Sequence, residues 1–252
     1  MRCALLMVLG ACGRIGFGPQ MAAVDAHSDA DAVALDASAD ASADASQLAI
    51  MYVGPFAQRH PGAGVTTDMF TATAHAAGNV IPMQLGCGST TRPTGVAIAA
   101  NGWTFHQLSQ PNGVSPLWTS RIVAIAPDTA PVTITVTWTG SPCEIGTDVL
   151  GDEFSGVATG LTFGILQGGA YTGNGNCSGA ITTMTPNEGI WAACFASSSV
   201  SAIGPGYLKG ADDGGGDWAE YRISADPSGT IETPTFTNAG AYLLDVLTLR
   251  SN

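Results

Sequence analysis

Basic residues are what this 252-residue chain most lacks: Lys occurs once and Lys plus Arg total 8, against 20 acidic residues, for a formal net charge of -12. A surface so poor in cations cannot release counterions from a phosphate backbone, which argues against nucleic acid as a partner. Charge of either sign is scarce, at 11% of the chain. Solvent-facing helices draw heavily on Lys, Glu, Arg and Gln, so an α-helical body is disfavoured. Long apolar runs are missing as well. The run over 4–9, ALLMVL, falls far short of the ~20 residues of a membrane-spanning helix, and no other segment is long enough to span a bilayer. No Cys-x-x-Cys pair is present, and no histidine adjoins a cysteine, which argues against a zinc finger or ribbon. What the chain does have is 45% apolar content with abundant Gly, Thr, Ser and Ala. That is enough to bury a core, and it suits strands and loops better than helices.

The amino terminus reads MRCALLMVLGACGRIGF: one Arg, a short apolar stretch, small residues, then a cysteine. This is the order of a secretory signal. Leu9-Gly10-Ala11-Cys12 resembles the lipobox of bacterial lipoproteins, although the signal is shorter than most. The resemblance implies cleavage after Ala11, a diacylglycerol on the sulfur of Cys12, and a membrane partner through that lipid. Gly13, in place of Asp, implies the outer membrane or cell surface as the destination. Over 22–46 the composition collapses to Asp, Ala and Ser. Such a segment buries too little apolar surface to offset its ordering entropy, and its like charges repel, so a disordered tether is expected, with a solvated Ala-rich helix as the alternative that the many Asp and Ser residues oppose. The domain boundaries expected are a signal peptide at 1–11, lipidated Cys12 with its tether at 12–46, and one globular domain at 47–252.

From 48 onward, β-branched and aromatic runs alternate with Gly, Pro, Asn and Asp. The clearest strand is 131–139, where Val132, Ile134, Val136 and Trp138 fall on one face and four threonines on the other, a strict period of two. Further strands are expected at 48–53, 68–74, 79–85, 103–109, 117–126, 149–154, 161–166, 190–196, 218–224, 230–236 and 241–249. About a dozen strands without a long helical stretch predict an all-β fold, an antiparallel β-sandwich made of two stacked sheets.

The ordered set AAGN at 76–79, NGWTF at 101–105, LWTSRIV at 117–123, PVTITVTWTG at 131–140, DEFSGV at 152–157 and DWAEYRI at 217–223 resembles a recurrent bacterial extracellular β-sandwich module. The GRIGF start with its Asp/Ala tract resembles surface lipoproteins of myxobacteria in sequence style. The module resemblance implies a jelly roll of the lectin-like kind in a secreted or surface protein, and bears on fold and address more than on activity. Asp245 departs from it, since an apolar residue is expected there, and is read as pointing outward at an edge.

With Cys3 in the signal and Cys12 lipidated, four cysteines remain: Cys87, Cys143, Cys177 and Cys194. An even number in an exported chain favours disulfides, and of the three pairings we take Cys87 with Cys143 and Cys177 with Cys194 as the guess, the latter closing a Gly/Asn-rich loop. Asp212, Asp213, Asp217 and Glu220 crowd into ADDGGGDWAE, whose oxygens are hard ligands of the kind calcium prefers. The spacing does not match an EF-hand, and a solvated turn between strands is the competing reading. Asp152 and Glu153 could be offered as a glycosidase pair, but adjacent strand residues point to opposite faces, so a partner such as Glu220 would be needed. Ser155 lacks the first glycine of a nucleophile elbow, and His27, His60, His75 and His106 fall at unrelated spacings, so no triad is legible. Trp218 and Trp118 are the candidate exposed platforms for a sugar or an apolar peptide, with core packing as the alternative for each. The function expected is a non-enzymatic surface module that adheres to an extracellular glycan or protein. A secreted polysaccharide hydrolase and a structural envelope protein are the alternatives.

Overall fold

The computed structural model describes residues 49–60, 62–160 and 164–252. The expected signal peptide, the lipidation site Cys12 and the tether at 12–46 lie outside the described residues, as do the first residue of the strand expected at 48–53 and the first half of that expected at 161–166. The described residues form antiparallel sheets without an α-helix.

A central sheet runs β1 (Met51–Arg59), β9 (Gly146–Ser155), β3 (Val80–Gly88), β7 (Leu117–Ile125) and β5 (Thr104–Gln107), with β6 (Asn112–Val114) also paired to β7. A five-stranded sheet of β10 (Ile165–Asn174), β18 (Ala241–Leu249), β13 (Gly189–Ala196), β15 (Trp218–Ile223) and β14 (Leu208–Asp212) packs on one face. The expected pair of stacked sheets is therefore present, and a third sheet is added to it. This sheet, β2 (Thr67–Ala72), β8 (Val132–Thr139) and β4 (Gly95–Ala99), covers the other face of the central one. Two short ribbons, β11 (Cys177–Ser178) with β17 (Thr235–Phe236) and β12 (Ile181–Thr182) with β16 (Ile231–Glu232), close the outer side of the five-stranded sheet.

The burial patterns follow from this layering. Strand β8 lies in an outer sheet and alternates, with Val132, Ile134, Val136 and Trp138 buried and Thr133 and Thr139 exposed. Strand β3 has a sheet on either side and is buried along its whole length. Its Ile81, Met83, Leu85 and Cys87 enter the core shared with β8, while Val80 enters the core shared with Trp191 and Leu247. Gly86 lies on that second face, where an added Cβ would come within 3.2 Å of the Phe195 ring, so the two sheets approach closely through a residue with no side chain.

The layering also corrects the reading of Asp245. It is not at an outward edge: it is 1% exposed, between the central and five-stranded sheets. Gln84 Nε2 donates to its Oδ2 at 2.9 Å, and Arg121 Nε stands 3.4 Å from its Oδ1. Burial pushes this carboxyl upward, against the Arg121 charge and the bonds from Gln84 and Thr119. Both guessed disulfides are formed: Cys87–Cys143 ties β3 to the loop before β9, and Cys177–Cys194 ties β11 to β13. Strands β4, β6, β11, β12 and β14, and β10 beyond 166, are additions to the expected set.

Candidate functional site

A cavity of about 260 Å³ opens at one end of the interface between the central and five-stranded sheets. Leu117, Ile145 and Phe195 give it an apolar wall, and His60, Asp148 and Asp217 stand at its polar side. Three pieces of chain supply the polar groups. His60 is the first residue after β1. Asp148 sits near the start of β9 on the same face as Leu150 and Asp152, the face turned toward the five-stranded sheet. Asp213 and Asp217 belong to the turn between β14 and β15.

That turn is built by its own sequence. Asp213 Oδ1 accepts from the amides of Gly215 at 2.8 Å, Gly216 at 2.9 Å and Asp217 at 3.0 Å, which folds the chain back over the carboxylate. Gly214 and Gly216 take φ of 75° and 119°, in the region that favours glycine. At Gly215 an added Cβ would stand 2.7 Å from the His60 ring. The glycine run therefore lets backbone pass against the imidazole.

His60 Nδ1 is in hydrogen-bond contact with Asp148 Oδ1 and lies 3.6 Å from Asp213 Oδ2. One ligand atom from each of His60, Asp148 and Asp213 falls within 4.8 Å of the others. The Asp213 side chain is 0% exposed, and its Oδ2 has no hydrogen-bond partner. Asp217 Oδ1 accepts from the Ala196 amide at 2.8 Å. Burial, then its contact with Asp213, pushes the Asp148 carboxyl up to about 9. Asp217 is raised too, by burial and then by Asp148. No Lys or Arg stands among the residues lining the cavity.

Of the four acidic residues grouped by sequence, the structure brings Asp213 and Asp217 into this site and sends the other two elsewhere. Asp212 turns to solvent, where Lys209 Nζ donates to it at 2.7 Å. Glu220 is buried on the other side of the five-stranded sheet and accepts from the amides of Gly204 and Thr235, both at 2.8 Å. A calcium quartet of Asp212, Asp213, Asp217 and Glu220 is thus not assembled, because Asp217, in the turn before β15, and Glu220, on β15, lie on opposite sides of the five-stranded sheet. Neither tryptophan offers a free platform. Trp118 is packed in the core, with Nε1 donating to the Ser89 carbonyl at 2.8 Å. Trp218 is half-buried, and the Lys209 ammonium covers its ring at 3.4 Å from the centroid.

The glycosidase pairing of Glu153 with Glu220 is not formed either. Glu153 faces away from the five-stranded sheet and is held by the amides of His75 and Ala76 and by Asn79. Burial raises its carboxyl, but the His75 imidazole, 2.8 Å from Oε2, together with these bonds outweighs burial, and the net shift is downward. Asp152 points the opposite way and accepts from Trp191 Nε1 at 2.8 Å and the Tyr52 hydroxyl at 3.1 Å.

His60 and Asp148 are the members that sequence reasoning missed. They are 88 residues apart, and nothing in HPGAG or GTDVLG marks either one. Comparison with protein-family models, with characterised proteins and with solved structures finds no match to the chain.

Proposed function

We propose that the protein is an exported, lipid-anchored surface module that binds a neutral extracellular glycan in the cavity beside His60 and Asp148. The two disulfides fit an oxidising compartment. The lipobox at 9–12 supports the anchor, and the Asp/Ala tract supports the reach that a tethered module needs. The observation that carries the reading is the cavity's make-up: an apolar wall for the C–H face of a sugar, opposite carboxyl groups that accept from its hydroxyls. A chain of net charge -12 favours neutral over anionic saccharides.

The test is a glycan array probed with the disulfide-bonded chain and with Ile145→Asp. Ile145 is 56% exposed at the rim, so the change blocks the wall without disturbing the core. Binding by the native chain that falls at least tenfold in the variant, at unchanged Tm, supports the reading. Equal binding by both removes it. Metabolic labelling with an alkyne fatty acid checks the anchor, which Cys12→Ser should abolish.

Hydrolysis of the same glycan is the second reading, resting on the two carboxyl groups, Asp148 and Asp217, that line the cavity. Release of new reducing ends from a bound glycan would turn the conclusion to that reading, and an intact glycan would keep it with binding.

A further inference from the structure

Like charges buried beside one another are costly, and the cluster at the cavity brings two aspartates against one imidazole without a cationic side chain among the lining residues. The cluster alone would be only an acidic corner. What sets it apart is Asp213. Its Oδ1 is saturated by three backbone amides, yet Oδ2, on a side chain with 0% exposure, is left without a hydrogen-bond partner and faces His60 Nδ1 at 3.6 Å. A buried carboxylate oxygen with no donor bears its desolvation cost uncompensated unless something electropositive meets it.

We propose that His60 Nδ1, Asp148 and Asp213 Oδ2 bind a divalent cation of the zinc class, with an open coordination position turned toward the cavity. Donors around a tetrahedral ion at ~2.1 Å stand about 3.4 Å from one another; the 3.6 Å between His60 Nδ1 and Asp213 Oδ2 is close to that spacing, whereas His60 Nδ1 and Asp148 Oδ1, now in hydrogen-bond contact, have to part to admit the ion between them. The donor types decide between cations. Calcium takes six to eight oxygens and has little use for an imidazole nitrogen, whereas one imidazole with two carboxylates suits zinc or manganese. Three protein ligands leave a fourth position for a water or a ligand oxygen, the pattern of zinc sites that keep an open position. Asp217 is already engaged through Oδ1 by the Ala196 amide and lines the cavity beside the ligands. The glycines of the turn carry this arrangement, because Gly215 passes where a side chain would displace the His60 ring.

This proposal rests on the cavity reading above only in placing the open position there, and its test separates the two. The disulfide-bonded chain, stripped with a chelator, is titrated with zinc against a chromophoric competitor, then with calcium, and separately loaded with cobalt(II) for its visible spectrum. His60→Ala and Asp213→Asn are measured alongside; the His60 side chain is 45% exposed and the Asn keeps the Oδ1 acceptor, so both should fold, as unchanged far-UV circular dichroism and Tm would show. The expected result is one zinc equivalent bound at micromolar Kd or tighter, weakened at least 100-fold in each variant. Millimolar calcium should fail to displace it, and the cobalt form should absorb as a four- or five-coordinate centre. Zinc binding equal in the native chain and both variants, or a preference for calcium, would overturn the proposal. A misfolded Asp213→Asn leaves His60→Ala to decide. Zinc bound as expected with no glycan captured supports this site and removes the glycan reading, whereas glycan captured by a chain that binds no zinc does the reverse.

Discussion

Glu220 shows what a buried carboxyl does to stability. Burial pushes it from the ordinary 4.5 up to about 7, against the two amides that favour its charged form. Between those values the folded chain holds a proton that the unfolded chain has released, so this residue's contribution is complete below about pH 4.5 and is lost as pH rises toward 7. Glu220→Gln, which mimics the protonated form, should show a smaller fall in urea midpoint between pH 4.5 and pH 8 than the native chain; parallel curves would refute this. Asp245 makes the complementary point about charge. Arg121 is the guanidinium facing it between the sheets, and Arg121→Met would leave a buried carboxyl without its counter-charge, at a cost of about 3 kcal/mol. Urea unfolding of the single variant and of Arg121→Met with Asp245→Leu checks this, since the double change should recover most of the loss.

At the scale of elements, β8 and β3 were legible to different degrees. The alternation of β8 was readable because an outer sheet has one wet face, and its consequences are local. Ile134→Ala, at 0% exposure, should cost about 3 kcal/mol, while Thr133→Ala on the solvent face should stay within about 0.5 kcal/mol. Equal losses at the two positions would mean the faces are assigned wrongly. Strand β3 carries no alternation, because sheets on both sides bury both of its faces. Nothing along VIPMQLGCG announces a third layer. The disulfides rank by the loop they close. Cys87–Cys143 spans 56 residues and Cys177–Cys194 spans 17, so chain entropy gives about 4 and about 3 kcal/mol respectively. Paired Cys→Ala variants should lower Tm in that order when measured by differential scanning calorimetry.

For the whole molecule, a net charge of -12 on a chain with 8 basic residues means self-repulsion that salt should relieve. Raising ionic strength from about 0.01 to about 0.5 M, where the Debye length contracts from about 30 Å to under 5 Å, should raise Tm by a few degrees. A fall would show that specific ion pairs outweigh the general repulsion.

Composition and local pattern, by themselves, determined the β class, most strand positions, the even number of cysteines left for disulfides and the location of the Asp213–Asp217 turn. Each of these depends on residues near one another in sequence or on a simple count. Only the tertiary structure decided that His60 and Asp148 meet that turn, that Glu220 leaves it, and that Asp245 is buried between sheets. The reason is geometric: Asp217, in the turn before β15, lies on one side of the sheet and Glu220, on β15, on the other, and β9 carries Asp148 across from a distant part of the chain. Adjacency in sequence therefore separated two residues it seemed to join, while 88 residues of intervening chain brought His60 and Asp148 into contact.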